Sequence, residues 1–302
     1  MALSRAQLLK ELVPGLNALF GLEYKTYEDE HKMLFDEDSS EKAFEEEVKL
    51  AGFGMAPSKA EGSAISYDQG QEAWVARYQH ETIALGFAIT EEAIEDQLYD
   101  SLSARYTKAL ARSMAYTKQI KGANIINNGF STGTGGDGKT LFATDHPLTG
   151  GGTISNRPTT GVDLNETALE AAVIAIAAWV DERGLLLAAR PRKLVIPPAY
   201  MFVAERVLKS PARVSTANND LNALKTMGMI PEGYGVNHFI TDTNSWYLKT
   251  DIPNGLKFFQ RVAIKTGTEG DFDTGNVRYK ARERYSFGWS DPLGVYGSPG
   301  ST

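Results

Sequence analysis

The stretch LGFAITEEAIEDQLYD, residues 85–100, changes its hydrophobic period within a few positions. Before Thr90, large apolar residues alternate with small ones, as in a strand with one buried face: Ile83, Leu85, Phe87 and Ile89. Thr90 can cap a helix, and acidic residues follow in its first turns, where negative charge is stabilising. Apolar residues then recur every four positions. The pattern predicts a strand leading into one helix that ends near Ile126, roughly 55 Å long at 1.5 Å per residue.

Upstream of the helix, the sequence predicts a long β-hairpin at residues 51–89. Its strands are expected at 74–78 and 83–89, and its tip at 54–71 is small, polar and contains glycine. A lone hairpin is only marginally stable in water, so this one requires another surface to pack on.

The first fifty residues divide into an apolar part and an acidic part. Residues 4–20 have helical spacing, which Pro14 is expected to interrupt. Residues 23–50 are strongly acidic, with aromatic residues spread among the charges: Tyr24, Tyr27, Phe35 and Phe44. Two interpretations stay open: a solvated mobile segment, or an arm whose aromatic side chains bind a neighbouring molecule.

Downstream of the long helix, a glycine-rich loop at 129–162 precedes a compact α/β region. Its periodicity predicts three helices, at 165–183, 198–209 and near 220–227, and three strands, at 193–197, 236–241 and 245–250. Asn254-Gly255 is a hairpin turn signal that leads into a strand at 256–260.

The last predicted strand, VRYKARERYSFGW at 277–289, is the most regular. One face is apolar and mostly aromatic: Val277, Tyr279, Ala281, Tyr285, Phe287 and Trp289. The other face is a basic stripe: Arg278, Lys280, Arg282 and Arg284. The stripe is either the solvated face of a half-buried sheet or a surface that binds acids of a neighbouring copy. The candidate acids are Glu28, Asp29 and Glu30, or Glu45, Glu46 and Glu47.

One short motif suggests a different function. The segment GTGGDGKT, residues 133–140, has the spacing of a phosphate-binding loop, which requires a helix that starts at Lys139. Pro147 and the three glycines at 150–152 cannot form that helix. Nucleotide hydrolysis is therefore the less favoured alternative, and a glycine-rich surface loop is expected.

Composition restricts the remaining functions. The net charge of −7 disfavours tight, sequence-independent binding of nucleic acid by the whole surface. The chain has no cysteine, which excludes disulfides and thiolate metal sites, and no apolar run long enough to span a bilayer. The four histidines are scattered, and His146 is expected to be a turn residue before Pro147. Neither an enzymatic site nor a cofactor is expected.

The order of these parts resembles the major capsid proteins of tailed double-stranded DNA bacteriophages, which have the Hong Kong 97 capsid fold. The resemblance is carried by residues 85–100, by LFATDHPLTGGG at 141–152 and by the closing RYKARERYSFGWSDPLGVYG. The second of these is similar to a segment of Mu-like major head subunits. The resemblance covers nearly the whole chain and implies an α+β subunit of a virion shell.

The resemblance also implies a division of the chain. The parts are an N-terminal arm at 1–50, an extended hairpin loop at 51–89, a peripheral domain with spine helix and crossover at 90–162, an axial domain at 163–255, and return strands with a tail at 256–302. Copies would form hexamers and pentamers, with the hairpin lying over an adjacent subunit. The candidate contacts between subunits are Trp74, Arg77 and Tyr78, the acidic Glu45, Glu46 and Glu47, and the basic stripe Arg278, Lys280, Arg282 and Arg284.

Further partners follow from the same resemblance. They are a scaffold and a portal protein, a decoration protein, and packaged DNA on the inner side without sequence-specific contacts. No scaffold-like domain precedes the arm, so a separate scaffold is expected, and no membrane is involved. The alternative within this fold is a cellular nanocompartment shell, which encloses an enzyme instead of a genome.

Overall fold

The chain is built around two four-stranded β-sheets. The computed structural model describes residues 5–90, 92, 99–213, 220–271 and 275–301. The helices are α1 (Arg5–Thr26), α2 (Tyr99–Asn127), α3 (Glu166–Ala177), α4 (Met201–Lys209) and α5 (Ala223–Thr226). The strands are β1 (Asp36–Ser39), β2 (Phe44–Ala51), β3 (Gln71–Gln79), β4 (Glu81–Ile89), β5 (His146–Pro147), β6 (Thr153–Ile154), β7 (Pro191–Ile196), β8 (Tyr234–Val236), β9 (Trp246–Thr250), β10 (Leu256–Gly270), β11 (Val277–Trp289) and β12 (Val295–Ser298).

The first sheet has the strand order β1–β10–β11–β4 and joins segments that are distant in sequence. β4 pairs antiparallel with β11 along its whole length, from Glu81 opposite Tyr285 to Ile89 opposite Val277. The predicted pairing of 83–89 with β3 is therefore wrong. The alternating apolar face of β4 continues into the equally regular apolar face of β11. β11 lies far along the chain, so no local pattern predicts this pairing.

The hairpin consists of β2 and β3 instead. These strands pair antiparallel from Phe44 opposite Gln79 to Ala51 opposite Gln71, with an irregularity next to Lys49. The first strand of the hairpin thus comes from the segment predicted as the end of an acidic arm. Three consecutive glutamates hid it, because the apolar alternation that marks a strand is interrupted there.

Helices α1 and α2 cover one face of the first sheet. Their buried side chains form one cluster with β11: Leu16, Phe20, Leu110, Ala111, Met114, Tyr279 and Ala281. Leu110 and Met114 of the predicted apolar row are buried, and the helix ends at Asn127, which confirms its predicted end near Ile126. Residues 91 and 93–98, where its first turns were predicted, lie outside the described residues. α1 continues through Pro14, because packing of its second half offsets the hydrogen bond that proline removes.

The acidic segment 23–50 is folded and ion-paired within its own chain, so a solvated mobile segment is the wrong interpretation. Asp36 lies 2.8 Å from Lys249 Nζ, and Glu30 lies 2.7 Å from His238 Nδ1. β1 within this segment runs parallel to β10. These partners lie far along the chain, and no local pattern reveals them.

The second sheet has the order β12–β9–β7–β8 and forms a separate core with α3, α4 and α5. Its largest buried members include Leu169, Ile176, Leu194, Trp246 and Leu248. Asn165 caps α3, since its Oδ1 accepts from the amide of Ala168 at 2.8 Å.

Two boundaries of this region differ from the prediction. α3 ends at Ala177, well before residue 183, because the chain then turns back and Val180 bridges to Leu186. The turn at Asn254-Gly255 forms, with Asn254 at φ 60°, but it joins β9 and β10, which belong to different sheets. It is a turn between sheets and not a hairpin.

Buried Asn156 joins the glycine-rich crossover to the turn before β12. Its Nδ2 donates to the carbonyl oxygens of Leu141 (2.7 Å) and Pro292 (2.9 Å). Its Oδ1 accepts from the amide of Ala143 at 3.1 Å. One side chain thus supplies hydrogen-bond partners to backbone groups of two segments that are not joined by strand pairing. It thereby holds the crossover between the two cores.

Replacing Asn156 tests this joint. Asn156→Ala should lower the free energy of unfolding of the unassembled subunit by about 2–4 kcal/mol, because several buried backbone groups lose their partner. Urea unfolding followed by tryptophan fluorescence measures the loss. Asn244→Ala, at an exposed turn, is the matched control and should cost less than about 0.5 kcal/mol. Equal values for the two variants would contradict the proposed role of Asn156.

Candidate inter-subunit surfaces

The outer face of the first sheet, opposite α1 and α2, carries a row of cations. The row alternates with buried residues along β11, as predicted, and Lys265 of β10 stands opposite Arg282. The adjacent β4 residues are small, so no long side chain shields the row: Thr82, Ala84, Gly86 and Ala88. We call Lys265, Arg278, Lys280, Arg282 and Arg284 the cationic face.

Most of the cationic face has no anionic partner in the described part of the chain. Arg278 binds Asp271, whereas Lys265, Lys280, Arg282 and Arg284 form no ion pair there. The Nε of Arg284 is buried and lacks a hydrogen-bond partner. Like charges at this spacing repel one another, so binding of an anionic partner would be favourable.

The acids predicted to meet this stripe lie elsewhere. Glu45, Glu46 and Glu47 belong to β2 of the hairpin, so their placement in a mobile arm is wrong. Glu46 lies 3.8 Å from Arg77, and Glu47 binds Lys257. Their contact with a neighbouring subunit remains a prediction, and it would have to break these intrachain contacts.

Trp74, Arg77 and Tyr78 lie in β3 and differ in exposure. Tyr78 is buried: its hydroxyl contacts Ser290, and its ring packs edge-on against Phe259 at 4.8 Å between centroids. Burial raises the pKa of the Tyr78 hydroxyl. The indole Nε1 of half-buried Trp74 donates to the carbonyl of Ser290 at 3.3 Å. Arg77 alone of the three is exposed, and it lies over the ring of Phe44 at 4.0 Å and near Glu46, so contact with another molecule would compete with these exposed contacts.

Charge pairs fix the hairpin to the loop after α3. Lys49 Nζ lies 3.0 Å from Glu182 Oε1 and 2.9 Å from Asp291 Oδ2. Nearer the tip, Arg183 binds Asp68 at 3.1 Å. The pairs set the direction in which the hairpin projects.

The tip of the hairpin, residues 52–70, carries apolar side chains that are exposed and belong to no hydrophobic core cluster. On the tip and the adjoining end of β2, the exposed large side chains are Leu50, Phe53, Met55, Ile65 and Tyr67. Large apolar groups exposed together mark an interaction surface. The tip is therefore built to be covered by another molecule.

The segment GTGGDGKT forms a tight turn. Thr134 and Thr140 pair as an isolated bridge, and the amide of Gly135 donates to the carbonyl of Lys139 at 2.8 Å. Lys139 Nζ binds Asp145, and no helix begins at this lysine. The segment therefore lacks the helix N-terminus that a phosphate-binding loop requires.

His146 next to this turn is fully buried and lies in β5, so its prediction as a turn residue is wrong. Its Nδ1 lies 2.6 Å from Asp137 Oδ2, and its Nε2 lies 3.2 Å from Asn156 Oδ1. Both ring nitrogens are therefore used in holding the crossover.

A buried charged cluster fastens α1 and α2 to the first sheet. Lys118 of α2 lies 2.9 Å from the carboxylate of Glu283 in β11, and its Nζ donates to the hydroxyl of Tyr24 in α1 at 2.6 Å. Glu283 is fully buried, and burial raises its pKa although Lys118 opposes the shift. Burial also raises the pKa of Tyr24. Three elements thus meet at one ion pair removed from water.

The described residues contain no group of three or more His, Asp or Glu side chains placed to hold a metal ion. No helix within the described ranges is both long and apolar enough to cross a membrane.

Comparison with known proteins identifies the family. A family model described as "Phage capsid protein" matches residues 74–298, which is well over half of the chain. The chain belongs to the phage capsid protein family. The match includes the first sheet except β1, the whole second sheet and the crossover between them.

Solved structures show that this capsid protein has the Hong Kong 97-type fold. The capsid of an empty GTA particle aligns with a TM-score of 0.55 at 13% identity, covering 91% of both chains. A virus-like particle from Pyrococcus furiosus aligns at 0.54 and 11% identity, covering 94% of this chain and 97% of that one. The capsid of Myoviridae phage XM1 aligns at 0.52 and 11% identity, covering 88% and 89%. No curated protein matches the sequence significantly.

Sequence reasoning missed two functional features of the capsid protein. It assigned no role to Glu283, although the alternation of β11 places this carboxylate on the apolar face. A charge at a buried position predicts a buried partner. It also missed Lys49, whose partners Glu182 and Asp291 lie far along the chain and leave no local pattern.

The buried ion pair generates a testable prediction for the capsid protein. Lys118→Met should cost about 3–5 kcal/mol of unfolding free energy at neutral pH, because Glu283 loses its buried cation and must either stay charged without a partner or take up a proton. The double variant Lys118→Met/Glu283→Leu should recover most of that loss. Urea unfolding measures both, and Lys121→Met, whose partner Glu81 is exposed, should cost only about 0–1 kcal/mol.

The single variant should also depend on pH. Without Lys118 the pKa of Glu283 rises further, so the folded state holds a proton that the unfolded chain releases above about pH 4.3. The stability of Lys118→Met should therefore fall as the pH rises from 4 to 8. A double variant as unstable as the single one would show that packing, and not charge, accounts for the loss.

Proposed function

We propose that this capsid protein is the major head subunit of a tailed double-stranded DNA bacteriophage. Copies assemble as hexamers and pentamers into an icosahedral shell that encloses the genome. The supporting observation is the hairpin tip, which exposes large apolar side chains and is fastened by Lys49 and Arg183 so that it projects from its own subunit. Such a tip gains stability only when another copy covers it.

The domains follow from this proposal. Residues 163–255, which contain α3, α4, α5, β7, β8 and β9, are the axial domain that meets its neighbours around the symmetry axes, and β12 completes its sheet. The first sheet and α2 are the peripheral domain, and β2 with β3 is the extended loop over an adjacent subunit. The cationic face, Arg77 and the hairpin acids are the candidate contacts between subunits.

The same proposal specifies partners and location. Separate scaffold and portal proteins take part in assembly, a decoration protein binds the finished shell, and the DNA inside makes no sequence-specific contact. Assembly takes place in the host cytoplasm, and the product is the virion capsid. The proposed role is structural and not enzymatic, in keeping with the missing helix after the phosphate-loop motif and with the pairing of its Lys139 with Asp145.

Electron microscopy of the purified protein tests the shell. Wild-type protein, with a scaffold if one is required, should form closed hollow shells, and Lys139→Ala should form them to the same extent with or without ATP. A folded Lys139→Ala subunit that fails to assemble, or assembly that requires ATP, would overturn the structural role of the turn. Shells that carry an enzyme in place of DNA would favour the nanocompartment alternative.

Hydrogen exchange tests the hairpin. Amides of residues 55–70 should exchange rapidly in the free subunit, because this backbone has few buried contacts, and should be strongly protected in the shell. Residues 246–250 of β9 are the internal control and should be protected equally in both states. Equal protection of the tip in both states would mean that it packs within its own subunit.

A further inference from the structure

The first sheet has an unprotected edge. β4 is its last strand, and among the described residues no strand lies on its other side. Its sequence ETIALGFAI contains one charged residue and no proline, and its register with β11 has no bulge. Monomeric proteins usually block such an edge with lysine, proline or a bulge, because its free backbone groups can pair with another chain.

An apolar strip runs beside this edge on the helix-facing side. Leu85 is 48% exposed although it lies on the face that packs against the helices, and Ile83 and Phe87 are only half-buried. Tyr106 of α2 is 50% exposed and lies 5.7 Å from the ring of Phe87. A strand added to β4 would cover these side chains with every second residue.

The hairpin tip contains a segment with the matching pattern. In SAISYD, residues 63–68, Ile65 and Tyr67 stand at alternate positions and are 58% and 88% exposed. The segment belongs to no strand, and residues 64–67 make no backbone–backbone hydrogen bond in the described chain. Its backbone is therefore free to pair, and isoleucine and tyrosine both favour strands.

We propose that in the assembled shell the hairpin tip of one copy adds residues 64–67 as a fifth strand to β4 of a neighbouring copy. Ile65 and Tyr67 then pack on Leu85 and Phe87, and Ser66 points to the opposite face of the sheet. The inference rests on the proposed shell function and names the docking site of the hairpin. Main-chain hydrogen bonds supply the affinity, and the alternating apolar side chains supply the specificity.

The charges favour the same docking. The hairpin from residue 44 to 79 carries six acidic and three basic residues, a net charge of −3. The cationic face carries five positive charges, and on that face Glu269, opposite Arg278, is negative. A strand paired with β4 brings the hairpin beside this face, since only one row of small residues separates the edge from the cations. The attraction would speed the encounter and select a second copy as the occupant.

Cysteine cross-linking tests the docking, because the chain has no cysteine of its own. Leu85→Cys protein is co-assembled with Ile65→Cys or with Tyr67→Cys protein, and the shells are mildly oxidised. Opposed residues of antiparallel strands lie about 4.5–5.5 Å apart at Cα, within the usual range for a disulfide. Covalent dimers should form in the mixed shells, and at least about fivefold more than with Met55→Cys, an equally exposed control in the other half of the tip.

The outcomes separate this inference from the proposed function. If wild-type shells form but neither mixture cross-links above the control, the tip does not dock on β4, while the shell function stands. If no shells form, the proposed function fails and the inference fails with it. Should Leu85→Cys subunits not assemble, Ala84→Cys with Ser66→Cys probes the opposite face without disturbing the apolar contact. Failure of that pair in intact shells also overturns the proposal.

Discussion

The strict alternation of β11 is the constraint on which the rest of the subunit depends. α1 and α2 pack against its buried residues, and its other side chains form most of the cationic face. The strand pairs with β10 on one side and with β4 on the other. A shift of one residue in either register would bury the arginines and expose the aromatic rings, so the sheet admits one arrangement.

Glu283 is the one charge on the buried face of β11, and it adds specificity to this packing. Hydrophobic contacts alone would tolerate small rotations of α1 and α2 over the sheet. The ion pair to Lys118 and the hydroxyl of Tyr24 require one position of both helices. Leaving Glu283 unpaired costs more than the pair itself contributes, so the cluster acts mainly against alternative packings.

The sequence predicted the helices and strands that have a regular hydrophobic period, and it missed contacts between residues far apart in the chain. The long helix and the alternating faces of β4 and β11 were visible in local patterns. The pairing of β4 with β11 was not visible, because hydrogen bonds between distant strands produce no pattern in either strand alone. The strand β2 was not visible either, because three glutamates interrupt its apolar alternation. The failure of the phosphate-loop motif was predictable, since that site needs a following helix which Pro147 and the glycines forbid.

Both sheets are completed by strands that lie beyond residue 255. β10 and β11 supply the centre of the first sheet, and β12 supplies an edge of the second. A nascent chain that has reached residue 250 therefore contains β4 without its partner and helices without the sheet they cover. Such a chain presents neither a finished docking edge nor the cationic face. Association between copies through that edge and that face therefore requires a chain folded through the end of β11.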